Sequence, residues 1–291
     1  DNKDEFRRVV VLDNPKKTLP SGWNVALREY KGDAIIKVDA HAVIPEDFVS
    51  KNVRVLETGE YICGGQRPNI IDKPTPFKET LLLAESSMFG SSIASYRNNP
   101  GKTYVKSLFH AAYRREVFEK VGFFNEELVR TEDNEIHYRM RKAGYKLCFD
   151  PDIISYQYTR SSLKAMLKQK YANGYWIGKT SKVCPKCLSI YHFVPFAFVS
   201  AIIASGSVIG ATGLAECIKK RHNHTLGKGI SALRKVTVVL TTVMWVLYAL
   251  MASGMAAVSA FKAEDKRNIT NACLPVLFLL LHLSYGIGTI A

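Results

Sequence analysis

Three long uncharged stretches in the last third of the chain constrain its fold more than any other feature. Residues 191–215, 236–261 and 268–291 contain no Asp, Glu, Lys or Arg. Each stretch is long enough to cross a hydrocarbon core, which needs roughly 20 apolar residues. A buried helical hairpin is the alternative, but three such stretches in succession favour a membrane domain. We therefore predict a membrane domain of two or three apolar helices at 191–291, preceded by a polar domain at 1–190.

The formal net charge of +14 is concentrated beside the first apolar stretch. Residues 160–186 carry seven Lys and Arg residues and no acid. Basic residues next to a spanning segment favour the cytoplasmic side of a membrane and bind anionic headgroups. The charge therefore predicts anionic membrane lipids as partners rather than nucleic acid, with the polar domain in the cytoplasm at the inner membrane. A solvated basic face is the alternative interpretation.

The topology of the first apolar stretch stays open. If all three stretches cross the membrane, the segment 216–235 lies outside with six basic residues against Glu216 alone. That arrangement conflicts with the positive-inside rule. The stretch 191–215 is therefore either a full span or a re-entrant or interfacial segment.

Cysteine usage fits a reducing compartment, because the six cysteines are scattered without a disulfide framework. Cys184 and Cys187 form a lone CxxC motif, and a zinc site would need two more ligands. Cys217, His222 and His224 are the candidates, but a spanning helix would separate them from the motif.

The polar domain has the alternation of an α/β fold. Apolar runs predict strands at 9–12, 34–38 and 61–65, with helices at 23–30 and 45–58 between them. Further along, the pattern predicts helices at 79–85, 132–143 and 161–176. It predicts strands at 108–113, 147–149 and 153–158, and a loop at 89–101. The helix at 161–176 is amphipathic, with lysines opposite Leu163, Met166, Leu167 and Tyr171, as expected at a membrane surface.

Two short acidic motifs are candidates for chemistry. Asp39 ends the strand at 34–38, where ligands of open α/β sheets collect. Asp39 and His41 can together face a divalent cation that neutralises a diphosphate, although an Asp in this position is more often a turn residue.

Glu132 and Asp133 form the second motif, at the start of a predicted helix. A helix N-terminus keeps a carboxylate ionised, as a general base requires, although helix stabilisation is an equally simple explanation. Thr131 is a candidate cap for this helix, and Glu135 and Arg139 have the spacing of an i,i+4 ion pair.

Gln169 and Trp176 lie on the basic amphipathic helix. An amide and an indole can hold a sugar or phosphate by hydrogen bonding and stacking. Interfacial anchoring by Trp176 is the alternative.

Taken in order, these segments resemble family-2 glycosyltransferases of bacterial exopolysaccharide synthesis, of the succinoglycan type. The resemblance covers nearly the whole chain. Its matching segments are residues 21–26, 32–42, 112–118, 122–126, 131–133, 138–145, 169–176, 192–195 and 283–288.

The resemblance implies a GT-A fold, a Rossmann-like α/β nucleotide-diphospho-sugar transferase domain followed by C-terminal transmembrane helices. It implies inverting transfer from a nucleotide-diphosphate sugar of the UDP-linked class to a lipid-linked or growing polysaccharide acceptor. Asp39 would bind the diphosphate through Mg²⁺ or Mn²⁺, with His41 in place of the second Asp of the DxD pattern. Asp133 would be the catalytic base.

The remaining site residues also follow from the resemblance. Asn24 would shape the donor pocket, and Glu132, Gln169 and Trp176 would bind acceptor or diphosphate. The last two match the ends of a QxxRW-like segment, here longer and without its Arg.

The resemblance also bears on where the chain begins. Only 38 residues precede Asp39, fewer than in such enzymes, so it predicts that the uracil-binding portion is missing. A catalytically incomplete, glycosyltransferase-like membrane protein that binds only membrane or partners is therefore the alternative function. A transporter is disfavoured, because the apolar stretches lack the acidic and basic residues that charged solutes need.

Overall fold

The computed structural model of the protein describes residues 8–90, 101–221, 227–263 and 268–291. The chain divides into two units, each built from separate stretches. The first comprises residues 1–68, 94–157 and 179–188, and the second comprises residues 69–93, 158–178 and 189–291. The predicted domain limit at residue 190 stays a prediction.

The first unit is a mixed α/β layer. Its elements are α1 (Leu19–Glu29), β1 (Ala34–Ile36), β2 (Ala42–Val43), α2 (Phe48–Glu57), β3 (Ile62–Gln66), β5 (Thr103–Val105), β6 (Ala111–Arg114), α4 (Arg115–Val121), α5 (Glu132–Lys142) and β7 (Leu147–Ile154). The strand β8 (Tyr156–Tyr158) follows β7, and its Tyr156 and Gln157 pair antiparallel with β2.

The described part of the main sheet has the strand order β1-β6-β3-β7-β5. Only the β3–β7 pair is parallel, whereas β1–β6, β3–β6 and β5–β7 are antiparallel. The predicted α/β fold class is therefore confirmed, in the form of a mixed sheet.

Both faces of this sheet are covered, because side chains alternate across a strand. Ile62 and Tyr113 lie in one core cluster with Ile136 and Met140 of α5. Their neighbours Cys63 and Ala112 lie in the opposite cluster, against Phe48 and Val55 of α2. A two-sided core explains why the strands of this sheet read as short apolar runs.

The predicted strand at 9–12 is wrong. Val9, Val10 and Val11 are 58%, 48% and 94% exposed, and the described chain there forms no strand. An apolar run forms a strand only where a neighbouring strand takes its hydrogen bonds, and local pattern does not reveal that neighbour.

Other boundaries differ by a few residues. The helix predicted at 45–58 begins at Phe48, and the strand predicted at 108–113 begins at Ala111. The short elements β2, β5 and α4 were not predicted, since two to seven residues carry too little periodicity. Most of the loop predicted at 89–101 falls outside the described residues.

The second unit is built mainly from helices. They are α3 (Pro76–Ser86), most of α6 (Leu163–Val183), α7 (Val194–Arg221), α8 (Lys228–Lys262) and α9 (Leu274–Ile290), with the two-residue strand β4 (Asn69–Ile70). Among the described residues, the segments Ile190–Arg221, Lys228–Lys262 and Ile269–Ile290 are long and apolar enough to cross a membrane.

The helix α7 is continuous from Val194 to Arg221. Pro195 lies in its first turn, where the missing N–H costs no hydrogen bond. Gly206 and Gly210 do not interrupt it. A re-entrant loop is therefore inconsistent with this helix, and the first stretch has the length and form of a full span.

The helix predicted at 161–176 continues to Val183 as α6. Leu163, Met166 and Leu167 share one face of α6, as predicted, and this face packs against α3, α8 and α9. Lys170, one of the lysines assigned to the opposite face, is instead buried. Tyr171, assigned to the same face, is instead 41% exposed.

The helices α6 and α9 approach each other through glycines. A Cβ atom at Gly174 would lie 1.9 Å from the carbonyl oxygen of Tyr285, and one at Gly288 would lie 2.1 Å from that of Tyr171. Small residues permit this close backbone contact in membrane helices.

Candidate functional site

Asp39 lies just beyond β1, at the end of an extended run in the first unit. The Lys37 N–H donates to the Ala111 carbonyl at 2.9 Å, which extends the β1–β6 pairing. The Ala42 N–H donates to the Asp39 carbonyl, so the backbone of Asp39 also makes the turn that the sequence left open. The carboxylate is thereby placed at the end of the strand, as predicted.

The Asp39 carboxylate is half-buried and incompletely paired. Its Oδ1 is buried and has no hydrogen-bond partner within the described residues. Its Oδ2 lies 3.8 Å from Nε2 of His110, a side chain that is only 1% exposed.

The charges around Asp39 keep it ionised. Burial would raise the pKa of this carboxyl, but His110, Lys37 and His41 outweigh burial, and the pKa lies below its ordinary value. The group is therefore a carboxylate at physiological pH.

His41 is exposed and bonded on one side. The pairing of Ala42 with Gln157 places the Gln157 amide 2.8 Å from Nε2 of His41, to which it donates. The other ring nitrogen of His41, Nδ1, takes no part in this bond. The structure therefore places Asp39 and His41 on the same turn, two residues apart as the motif predicted.

The second motif begins α5. Glu132 and Asp133 occupy its first turn, and the Asn134 N–H donates to Asp133 Oδ1 at 2.8 Å. Asp133 is half-buried, whereas Glu132 is buried. Burial raises the pKa of Glu132 above its ordinary value, although Lys37 opposes this shift.

Thr131 does not cap α5 through its side chain. Its backbone is in the left-handed region, at φ 68°. Its hydroxyl contacts Thr180 and the carbonyl of Arg130 instead of an N–H of the helix. Glu135 and Arg139 form the predicted ion pair, at 2.6 Å.

Lys37 joins the two acidic motifs. Its Nζ lies 3.1 Å from Glu132 Oε1, with both side chains less than 10% exposed. The ammonium also lies 5.4 Å from the ring centroid of Trp23. Burial would lower the pKa of Lys37, but Glu132, Asp133 and Asp39 outweigh burial and raise it. One buried cation is therefore paired with Glu132 and interacts electrostatically with Asp133 and Asp39.

Asn24 is buried and makes three bonds to one loop. Its amide donates to the Phe124 carbonyl and to Glu126 Oε1, both at 2.9 Å, and its oxygen accepts from the Phe124 N–H at 2.8 Å. The structure thus shows Asn24 fastening the loop that precedes α5. Its role in a donor pocket stays a prediction.

Gln169 and Trp176 belong to the second unit, on α6. The Gln169 Oε1 is buried and has no hydrogen-bond partner among the described residues. The ring of Trp176 lies at 89° to that of Tyr175. Their roles toward acceptor or diphosphate stay predictions.

The residues around Asp39 are suited to binding a divalent cation that a diphosphate binds at the same time. The described residues contain no cluster of three or more His, Cys, Asp and Glu side chains that could hold a metal alone. Mg²⁺, however, is usually bound through one or two carboxylates together with substrate phosphates. The free Oδ1 of Asp39 supplies such a carboxylate oxygen.

The CxxC motif does not form a zinc centre with the described residues. Cys187 is buried in a short turn, Pro185–Cys187, and burial raises the pKa of its thiol. Cys217 is exposed on α7, while His222 and His224 lie outside the described residues.

The sequence analysis missed Lys37 and His110. Lys37 carried a usable signal, since a lone cation inside an apolar strand demands a buried acid. His110 carried none, because its proximity to Asp39 depends on the pairing of β6 with β1.

A protein-family model identifies the family of the chain. The model for glycosyl transferase family group 2 matches residues 34–288. The chain belongs to this family. The match spans the acidic motifs and the apolar helices, so the predicted family is confirmed.

Individual relatives act in polysaccharide synthesis. The chain is 29% identical over 175 residues to the succinoglycan biosynthesis protein ExoA of Rhizobium meliloti, covering 58% of this chain and 52% of that protein. It is 26% identical over 164 residues to the O-antigen chain rhamnosyltransferase RfbN of Salmonella typhimurium, covering 53% and 52%.

A third relative comes from an archaeon. The chain is 23% identical over 209 residues to a dolichyl N-acetyl-alpha-D-glucosaminyl phosphate 3-beta-D-2,3-diacetamido-2,3-dideoxy-beta-D-glucuronosyltransferase of Methanococcus voltae, covering 69% of this chain and 64% of that protein. The chain thus spans about half to two thirds of the length of these relatives.

Proposed function

We propose that the protein is an inverting glycosyltransferase. It transfers a sugar from a nucleotide-diphosphate donor, of the UDP class, to a lipid-linked or growing polysaccharide acceptor. The single observation that supports this function best is the buried Lys37, which pairs with Glu132 and interacts electrostatically with Asp39 and Asp133 in the first unit. That arrangement combines a cation-binding carboxylate with a candidate base.

In this mechanism Asp133 accepts the proton of the acceptor hydroxyl as that oxygen attacks the anomeric carbon. The C–O bond to the diphosphate breaks as the new glycosidic bond forms, with inversion. Asp39 and His41 are the residues that would hold Mg²⁺ or Mn²⁺, and a bound cation neutralises the charge of the leaving diphosphate. Lys37 keeps Glu132 paired while the neighbouring Asp133 stays available to the acceptor.

The test of the base is Asp133→Asn, measured as sugar transfer with the whole chain in membranes. General-base catalysis contributes about 10²–10⁴-fold, so we expect a loss of kcat in that range. Asp152→Asn is the matched control, because Asp152 has a 69% exposed side chain and pairs loosely with Arg54 at 3.6 Å. Transfer at the wild-type rate by Asp133→Asn would disprove the assignment.

The test of the cation site is Asp39→Asn together with His41→Ala. We expect Asp39→Asn to abolish stimulation of transfer by Mn²⁺, since the amide lacks the charge that binds a hard cation. His41→Ala should have a smaller effect, because its Nε2 is already bonded to Gln157. Equal Mn²⁺ stimulation in wild type and Asp39→Asn would contradict this role.

The proposed location is the inner membrane, as a multi-pass protein with its first unit in the cytoplasm. The basic residues between 160 and 186 would face anionic lipids there. Cys217 is exposed near the end of α7, so a membrane-impermeant thiol reagent reports its side. Labelling of Cys217 from outside intact cells, lost in Cys217→Ser, is expected if α7 spans.

A further inference from the structure

Two buried polar atoms in the first unit have no hydrogen-bond partner among the described residues, namely Asp39 Oδ1 and His110 Nε2. The His110 Nε2 atom lies 3.8 Å from the other carboxylate oxygen of Asp39, Oδ2. Leaving buried polar atoms unpaired is costly, so such a pair needs an explanation.

The other ring nitrogen of His110 sets its tautomer. Nδ1 lies 2.8 Å from the hydroxyl of Ser155, which is itself only 2% exposed. A carboxylate can only accept hydrogen bonds, so the neutral ring is best oriented with its N–H at Nε2, toward Asp39. The Ser155 hydroxyl then donates to Nδ1 at 2.8 Å, in preference to the Gln66 carbonyl, which lies farther away at 3.5 Å.

The two carboxylate oxygens of Asp39 therefore have different surroundings. Oδ2 faces the N–H of a rigid, buried ring, whereas Oδ1 has no partner in the described residues. A ligating carboxylate whose second oxygen lies against the N–H of a buried ring, here at 3.8 Å, presents its other oxygen in a preferred direction.

We propose that His110 is a positioning residue for Asp39, held in its tautomer by Ser155, and that it directs Asp39 Oδ1 toward the divalent cation of the donor complex. This inference rests on the proposed function, because it assumes that Asp39 binds the cation. His110 itself touches neither cation nor substrate in this role.

The experiment measures Mn²⁺ binding without turnover, by the electron paramagnetic resonance signal of free Mn²⁺, with and without UDP. The whole chain is used as wild type, Asp39→Asn, His110→Leu and His110→Gln. We expect His110→Leu to weaken Mn²⁺ binding in the presence of UDP about tenfold, the range for loss of a group that orients a ligand. His110→Gln, which keeps an N–H donor, should recover most of that affinity.

His137 provides the matched control for loss of a buried histidine. It is fully buried in the same unit and bonds to Ser107 and Tyr113 rather than to a carboxylate. We expect His137→Gln to lower stability while leaving Mn²⁺ affinity unchanged. Ser155→Ala tests the tautomer in a chain with His110 intact, and a several-fold weaker affinity is expected.

The outcomes distinguish the proposed cation site at Asp39 from the proposed positioning role of His110. If Asp39→Asn weakens Mn²⁺ binding but His110→Leu and Ser155→Ala do not, the positioning role is overturned and the cation site stands. If Asp39→Asn leaves binding unchanged, or the wild type binds no Mn²⁺ with UDP, both are overturned. An equal loss in His137→Gln and His110→Leu also overturns the positioning role, because it would show a general effect of destabilisation.

Discussion

Among the described residues, each unit of the protein contains one buried Lys–Glu pair, and the two pairs have the same Nζ–Oε1 distance. Lys37 and Glu132 lie 3.1 Å apart in the first unit, and Lys170 and Glu85 lie 3.1 Å apart in the second. All four side chains are less than 10% exposed. What differs is the environment of each pair.

The pair in the first unit stands between two acidic motifs, since Asp39 and Asp133 both act on Lys37. The pair in the second unit joins two helices, α3 and α6, and Glu85 also accepts a bond from Thr159. In the proposed function the first pair organises charge for chemistry, whereas the second pair joins α3 to α6. Geometry alone does not distinguish the two roles.

The largest expected effect comes from breaking each pair. Removing one partner of a buried ion pair leaves an uncompensated charge and costs about 3–5 kcal/mol. We expect Lys37→Met and Lys170→Met to lower the free energy of unfolding by similar amounts, measured by denaturant unfolding of the solubilised protein. Only Lys37→Met should also change Mn²⁺ affinity, and the change should be an increase, because it removes a positive charge that repels the cation next to Asp39.

A double substitution sharpens this test. Replacing both partners with apolar residues removes the unpaired charge, so Lys37→Met combined with Glu132→Leu should recover much of the lost stability. A double variant as unstable as the sum of the single variants would contradict a paired, buried interaction.

The next effect concerns the glycine contacts of the second unit. Gly174→Ala places a methyl group 1.9 Å from the Tyr285 carbonyl oxygen, and such overpacking costs about 1–3 kcal/mol. Gly206→Ala in α7 is the control, because its Cβ meets nothing within 4 Å. Both gain helix propensity, so the difference in thermal stability between them isolates the contact of α6 with α9. Equal stability of the two variants would exclude close packing at Gly174.

A third prediction concerns acid stability of the first unit. Burial lowers the pKa of His137 to about 3, so the folded protein keeps this ring neutral while the unfolded chain protonates it near pH 6.5. Stability contributed by the neutral ring is therefore complete above pH 6.5 and is lost as pH falls from 6.5 toward 3, by about 1.4 kcal/mol per pH unit. His137→Gln should reduce this slope in unfolding measured across pH. An unchanged slope would contradict a neutral, buried His137.

The smallest effect is expected at the surface. Asp47 and Lys51 form an exposed i,i+4 pair at 2.8 Å at the start of α2. Such pairs contribute about 0.3–0.5 kcal/mol, so Asp47→Asn should change the free energy of unfolding by no more than that. A loss as large as that of Lys37→Met would mean that burial does not control the strength of these pairs.

The elements that local pattern specifies were predictable. The strand before Asp39 and the helix starting at Glu132 follow from apolar periodicity and from the acids at a helix start. The three apolar helices followed from their lack of charge. These features need no knowledge of distant residues.

The features that depend on distant pairing were not predictable. Val9 to Leu12 has the composition of a strand but is exposed, because composition does not supply a neighbouring strand. His110 reaches Asp39 only through the antiparallel pairing of β1 with β6. Thr131 looked like a helix cap, but its left-handed backbone turns its hydroxyl elsewhere.

The length of α8 has a consequence for the membrane that holds it. Its 35 residues rise about 52 Å, whereas a hydrocarbon core is about 30 Å thick. The surplus must be accommodated by tilting or by a helical end that projects into the headgroup region. Lys228, Arg234 and Lys235 occupy its first turns, so projection at that end would keep these cations in water. The protein's activity should therefore depend on bilayer thickness, in a series of phosphatidylcholines of increasing chain length, as well as on the charge of the lipids around it.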